Sequence, residues 1–336
     1  MEGECASAKG APGVHVISRG PLAISVAERG AQLMSVTRGG LEYLWQGDAR
    51  WWGRRAPVLF PVVGTLRPGT TSAAGPCPMS RHGFARDETF AVVADASAAR
   101  ADGAPAIAMT LASSVRTRAR YPYDFVLRLD YALLDDRTVE QRFTVTNAGA
   151  VALPFTVGGH PAFNVPPRPA QAHATKTTGP GARDLASPAA GAPADERFED
   201  YELRFARPWT CASPTLTAEG LWDFSREMPV VRDAAALPLT HRLFDVDTLL
   251  LRDVPDREVT LRGTRSGRGV RVRFPDFPYL GVWSAAGDAP FVALEPWHGC
   301  ASALDEDDAF EHKRGTITLA PGAQASLAFT ITVLGD

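Results

Sequence analysis

The sequence has no cysteine pair, no long hydrophobic run and no strong excess of one charge. Its four cysteines, Cys5, Cys77, Cys211 and Cys300, are scattered and form no CxxC. That spacing excludes the usual zinc patterns and a disulfide framework, and free thiols in a reducing compartment are expected. No stretch approaches the ~18 apolar residues of a membrane span. The opening "MEGECASAKGAPG" lacks the apolar core of a secretory signal. The expectation is therefore a cytoplasmic chain with no membrane partner. A net charge of -3 supplies no basic field, so no nucleic-acid partner is expected either. There is no GxSxG elbow and no P-loop, and "GLEYLWQG" is no dinucleotide fingerprint.

Helical periodicity is scarce too, and alternation takes its place. "LRLDYAL" puts Leu127, Leu129, Tyr131 and Leu133 on one face. "SLAFTITV" does the same with Leu327, Phe329, Ile331 and Val333, and "VRVRF" sets Val270, Val272 and Phe274 against two arginines. Similar runs occur at Val14–Ile17, Ala23–Val26, Val139–Thr146 and Val259–Leu261. A period of two marks half-buried antiparallel strands, and many short strands between Gly and Pro turns predict an all-β sandwich or barrel. At 336 residues the chain can form one large β unit. The expected division is a loose tail over 1–13 and a single domain over 14–336. Inside it, a Pro/Ala/Gly-rich surface loop is expected over 166–196, where little apolar pattern exists to be buried.

Three short islands carry ionisable side chains among turn residues and aromatics. They are "SRHGFARDE" with Arg81, His82 and Arg86, "GGHPAFN" with His160 and Asn164, and "ALEPWHG" with Glu295, Trp297 and His298. A fourth, "LFDVDTLLL", holds Asp245 and Asp247. Singly, each has an ordinary structural reading: a charged turn, a strand end, an Asx turn, a core tryptophan. Together they pair an imidazole with a carboxyl in desolvating surroundings, which is what general acid–base chemistry requires near neutral pH. Aromatic faces beside polar groups suit a small-molecule sugar, whose C–H face packs on rings while its hydroxyls take hydrogen bonds. His82, His160, Glu295 and His298 have no close ligand spacing, so no metal is expected.

The strings "APVLFPVVGTL", "RHGFARD", "GGHPAFNVP", "LFDVDTLLL", "FPYLGVWS" and "EPWHG" resemble, in order, those of the aldose 1-epimerases, the galactose mutarotase-like family, and most of all its bacterial epimerase-like branch. The resemblance implies a large antiparallel β-sandwich, the galactose mutarotase-like supersandwich. It implies interconversion of α and β anomers of a hexose or related sugar with no cofactor. By motif, Glu295 would take the proton of the anomeric hydroxyl and His160 would protonate the ring oxygen, the two lying on opposite sides of one pyranose. His82 would hydrogen-bond the sugar, and Asp247, or Asp245 two residues away, would hold its hydroxyls. Arg81, Arg86 and Trp297 complete the expected binding set. Thr65 stands where the family pattern has an arginine, and Arg67, on the same strand face, is a candidate replacement together with Arg55 and Arg81. Arg54, Arg55, Arg81 and Arg86 would also suit a phosphorylated hexose. A non-catalytic sugar-binding protein on the same fold and a glycosidase using Glu295 and Asp247 are the other readings. A monomer or homodimer is expected.

Overall fold

The structure, a computed structural model, describes residues 13–97, 100–170 and 196–335. Two large antiparallel sheets hold nearly half of them. The ten-stranded sheet runs in the order Val14–Arg19, Leu22–Ala27, Gln32–Arg38, Leu41–Leu44, Ala162–Pro169, Phe291–His298, Val157–Gly159 and Val58–Leu59. Tyr279–Trp283 pairs on the free side of Phe291–His298, and Leu249–Arg252 pairs beyond it. The nine-stranded sheet runs Trp222–Pro238, Tyr201–Leu216, Glu258–Gly263, Gly269–Arg273, Gln324–Leu334, Thr138–Asn147, Phe125–Leu133, Ala106–Ala112 and Ala91–Val93. Every expected alternating run falls on a strand; most strands run one or two residues longer, and Gly269–Arg273 stops one residue short of Phe274.

The core lies between the sheets. Leu127, Leu129, Tyr131, Leu133, Leu327, Phe329, Ile331, Val333, Val270 and Val272 meet Leu22, Ile24, Val26, Val292, Leu294, Leu280 and Val282 in one buried cluster. Each such side chain adds about 1.5–3 kcal/mol of transfer free energy. Tyr131 Oη crosses between the sheets to donate to the Ala31 carbonyl at 2.7 Å.

The ten-stranded sheet is covered on both faces around its central strand. In "FVALEPWH", Val292 and Leu294 face the sandwich core. Phe291 and Ala293 pack in a second, tryptophan-rich cluster with Trp45, and Trp297 in a third with Leu59 and Trp222. A strand enclosed on both sides reads as a nearly continuous buried run instead of an alternating one. The first twelve residues of the expected tail and most of the expected 166–196 loop lie outside the described residues. One boundary moves: Pro166 to Pro169 belong to the strand Ala162–Pro169, where Arg168 and Pro169 pair with Glu42 and Leu41 after a register shift. A bulge accommodates the prolines there, which a regular ladder would not.

Candidate active site

The site forms on the outer face of the ten-stranded sheet. The strands Val157–Gly159 and Ala162–Pro169 lie end to end along one side of Phe291–His298. The Val157–His298 and Gly158–Trp297 pairs before the break share one register with the Ala162–Ala293 pair after it. Continuing that register sets His160 directly opposite Glu295. Alternation then decides the faces: Gly159 points at Phe329 in the core, so Gly158 and His160 point outward. Glu295 and Trp297 share that outward face. A sequence separation of well over a hundred residues closes to 3.1 Å between His160 Nε2 and Glu295 Oε2. Both lie on the cleft floor, so the expected placement on opposite sides of a pyranose is corrected.

Two glycines make the floor flat. A Cβ on Gly158 would stand 2.8 Å from Trp297 Cδ1, and one on Gly281 would stand 2.8 Å from Trp297 Cζ2. Both are closer than packed carbons tolerate. Their bare backbones let the indole of Trp297 lie along the sheet beside Glu295, whose cross-strand neighbour in Tyr279–Trp283 is Gly281.

The cleft above has a cavity of about 200 Å³ lined in part by His82, Arg81, Arg86, Asp247, Thr65 and four tryptophans, Trp52, Trp222, Trp283 and Trp297. His82 sits in a left-handed turn (φ 66°). Its backbone N–H donates to the Gly64 carbonyl at 2.8 Å, and the Gly64 N–H donates to His82 Nδ1 at 3.1 Å. Nδ1 is thereby an acceptor, which leaves Nε2 carrying the proton as a donor. Asp247, also left-handed (φ 72°), lines the cleft and accepts from Thr248 Oγ1 at 2.9 Å. Asp245 is exposed and does not line it.

The arginines divide. Arg81 Nε donates to Thr65 Oγ1 at 3.1 Å and lines the cleft. Arg86 lines it too, and donates to the Arg81 carbonyl at 2.7 Å. Arg67 does not line it: its guanidinium donates to the Ala303 carbonyl and faces Asp308 at 3.6 Å. The backbone beside Arg67 is not a continuing strand, so the shared-face argument from Thr65 fails. Arg55 is turned away as well, donating to the Met34 carbonyl and Gln46 Oε1, both at 2.7 Å. Asn164 is structural, donating to the carbonyls of Glu42 and Leu44.

Burial sets the electrostatics. His160 is 8% exposed and Glu295 1%. Loss of water pushes the Glu295 carboxyl well above its ordinary range, reinforced by the Asp247 carboxylate. It pushes the His160 imidazole down to about 3, with Arg86 and Arg54 adding to the effect. His82 is lowered by the same burial and by His160 and the nearby arginines. Burial therefore favours the uncharged form of both groups. Unpartnered buried polar atoms gather here: His160 Nδ1, Glu295 Oε2, Arg86 Nε, Trp222 Nε1 and Trp297 Nε1 are five of the nine among the described residues. Such atoms are costly inside a fold, and their convergence marks a surface made for a polar ligand. Glu295 Oε2 is close to His160 but not aligned as a hydrogen bond, so it too faces the cleft.

Trp52, Trp222, Trp283, Leu216 and Gly220 were not singled out from the sequence. Trp52 comes from the "DARWWGRR" segment and Trp222, Leu216 and Gly220 from the turn joining the two longest strands. The available signal was tryptophan itself: four of the seven line one cleft. No cluster of three or more His, Cys, Asp or Glu able to hold a metal occurs among the described residues.

The chain is thus a two-sheet antiparallel sandwich with an imidazole–carboxyl pair at the base of an aromatic cleft. Comparison narrows this: the sequence model of the aldose 1-epimerase family matches residues 14–327, and the chain belongs to that family. The chromosomally encoded LacX protein of Lactococcus lactis subsp. lactis is 32% identical over 327 residues, covering 93% of this chain and 97% of that protein. A galactose mutarotase related enzyme from Lactobacillus acidophilus superposes with a TM-score of 0.80 at 27% identity, over 96% of this chain and 97% of its own. A galactose mutarotase-like protein from Lactobacillus casei gives 0.78 at 30% identity, over 96% and 100%. No helix among the described residues is long and apolar enough to cross a membrane.

Proposed function

We propose that the protein is an aldose 1-epimerase that interconverts the α and β anomers of a hexose or related sugar by acid–base ring opening and closure, without a cofactor. The buried His160–Glu295 pair at 3.1 Å on the cleft floor carries this reading. Binding alone needs no matched acid and base, and keeping two ionisable groups this dry costs stability.

The proposed step starts from the ion-pair form of the couple, one proton transfer away from the neutral form that burial favours. Carboxylate Glu295 takes the proton from O1 as imidazolium His160 gives one to the ring oxygen. The C1–O5 bond breaks, the aldehyde turns about C1–C2, and the ring closes on its other face with the protons returned. His82 Nε2–H is a donor to sugar oxygens. Asp247 accepts from hydroxyls, and Trp297 on the cleft floor receives the C–H face. Each positioned proton-transfer group is worth ~10²–10⁴ in rate.

A second reading, a phosphorylated hexose, is favoured by Arg81 and Arg86 in the cleft wall with Arg54 behind them. Asp87 pairs with Arg54 at 2.9 Å and approaches Arg86 only to 3.8 Å. Fresh α-glucose, α-galactose and glucose 6-phosphate, followed separately by polarimetry or anomeric proton NMR, test both. Acceleration of the neutral sugars supports the main reading. Acceleration of the phosphate ester alone selects the second, and saturable binding without acceleration defeats both in favour of a sugar-binding protein.

A further inference from the structure

This inference rests on the acid–base reading above. His160 Nδ1 is buried and has no partner outside its own residue, whose backbone it approaches without an aligned hydrogen bond, so no neighbouring polar group fixes the plane of the ring. Aromatic neighbours surround it instead. Trp52 stacks on the imidazole with centroids 4.7 Å apart and planes 23° apart. Trp283 meets the same ring edge-on at 5.7 Å and 79°, and His82 does so at 5.7 Å and 81°. We propose that Trp52 is the positioning residue of His160: its indole covers one imidazole face, keeps water from it and holds Nε2 toward Glu295.

The chain invests heavily in placing this indole. The Trp51 and Trp52 N–H groups both donate to the Asp48 carbonyl, at 3.1 and 2.9 Å. Trp45 Nε1 donates to the Trp52 carbonyl at 2.9 Å. Trp51 Nε1 donates to Asp288 Oδ1 at 2.9 Å. Trp45 stacks on Phe291 at 4.7 Å, and Phe291 belongs to the strand that carries Glu295. One strand thus sets the carboxyl directly and, through Trp45, the indole that covers the imidazole. Trp283, on the neighbouring strand, closes the other edge of Trp52 at 5.3 Å. Glu295, His82, Arg86 and Arg54 are the charged or titratable groups facing His160. Trp52 carries no charge, so its influence is exclusion of water and orientation.

The test compares wild type, W52F and W52A by NMR titration of ¹³C-labelled histidine, with H160N identifying the His160 signal, and by kcat and KM. In W52A water reaches the ring, and its titration rises from about 3 toward the ordinary histidine value. Its kcat falls about 10- to 100-fold through lost orientation while KM moves little. W52F, which keeps a flat face, recovers part of both. An unshifted titration in folded W52A overturns the proposal. So does a raised KM with intact kcat, which would make Trp52 a sugar platform. If W52A does not fold, W52L takes its place, with a smaller rise and the same loss in kcat. The titration needs no substrate, so it decides this inference even if no sugar is turned over and the functional reading fails.

Discussion

His160→Asn is the most informative perturbation, because it reads where the couple keeps its proton. Burial lowers the imidazole from 6.5 to about 3 in the folded protein. A depressed histidine value means that acid protonates the unfolded chain first: the wild type loses stability as pH falls below 6.5, and the loss levels off only near 3. At about pH 5 the accumulated cost is about 2 kcal/mol, from 1.5 units at about 1.36 kcal/mol each; near pH 7.5 it is close to zero. Asparagine does not titrate. The stability of H160N minus that of wild type should therefore swing by about 2 kcal/mol in favour of the variant between pH 7.5 and 5. Glu42, a buried carboxyl raised to about 7 by its own desolvation, also titrates in this window. It does so in both proteins and cancels in the difference. Urea unfolding at three pH values measures it, and turnover should meanwhile fall ~10²–10⁴. A standing ion pair would give the opposite sign, since a raised histidine value is lost as pH climbs. A flat or inverted difference refutes the reasoning.

Glu295→Gln should lower turnover by a similar ~10²–10⁴ yet gain stability relative to wild type as pH rises from 4.5. A carboxyl whose folded value is raised penalises the native state above its unfolded value, and glutamine does not; urea unfolding at about pH 4.5 and 8 compares them. Gly281→Ala puts a methyl 2.8–3.1 Å from three atoms of the Trp297 ring. It should cost about 1–3 kcal/mol and raise KM by tipping the floor, read by urea unfolding and initial rates. Asp247→Asn should raise KM while Asp245→Asn leaves it unchanged, since only the former lines the cleft; equal effects would remove Asp247 from the sugar site.

The fold was legible because half-buried strands print their geometry as alternation, and the runs at Leu127–Leu133 and Leu327–Val333 needed no tertiary knowledge. The hairpin of Tyr201–Leu216 and Trp222–Pro238 was not legible. Four register shifts break its pairing, and bulges erase a period of two. That hairpin delivers Leu216, Gly220 and Trp222 to the cleft, so a blind spot in the fold became one in the site. His160 and Glu295 were visible as candidates because ionisable side chains beside glycine and proline are conspicuous. Trp52 was not, since a tryptophan in a strand-poor segment reads as core until its neighbour is known. Arg67 shows the converse error: an inferred strand face is only as good as the strand.

The cleft also shows how a β-sheet can be made to hold opposed chemistry. A cross-strand pair on a sheet face brings Cβ atoms within about 4.5–5.5 Å whatever the residues are, so strand pairing alone delivers proximity. What pairing does not deliver is dryness or room. Glycine at 158 and 281 removes two side chains from the outer face, and Trp297 fills the layer so vacated without rising above it. The tryptophans that line the cavity cover the pair and leave about 200 Å³ beside it. The cost falls on His160 and Glu295, both shifted by burial in the direction that destabilises the folded chain at neutral or acidic pH. A sandwich with a large core between its sheets can carry that cost, because the site lies on the outer face, apart from that core.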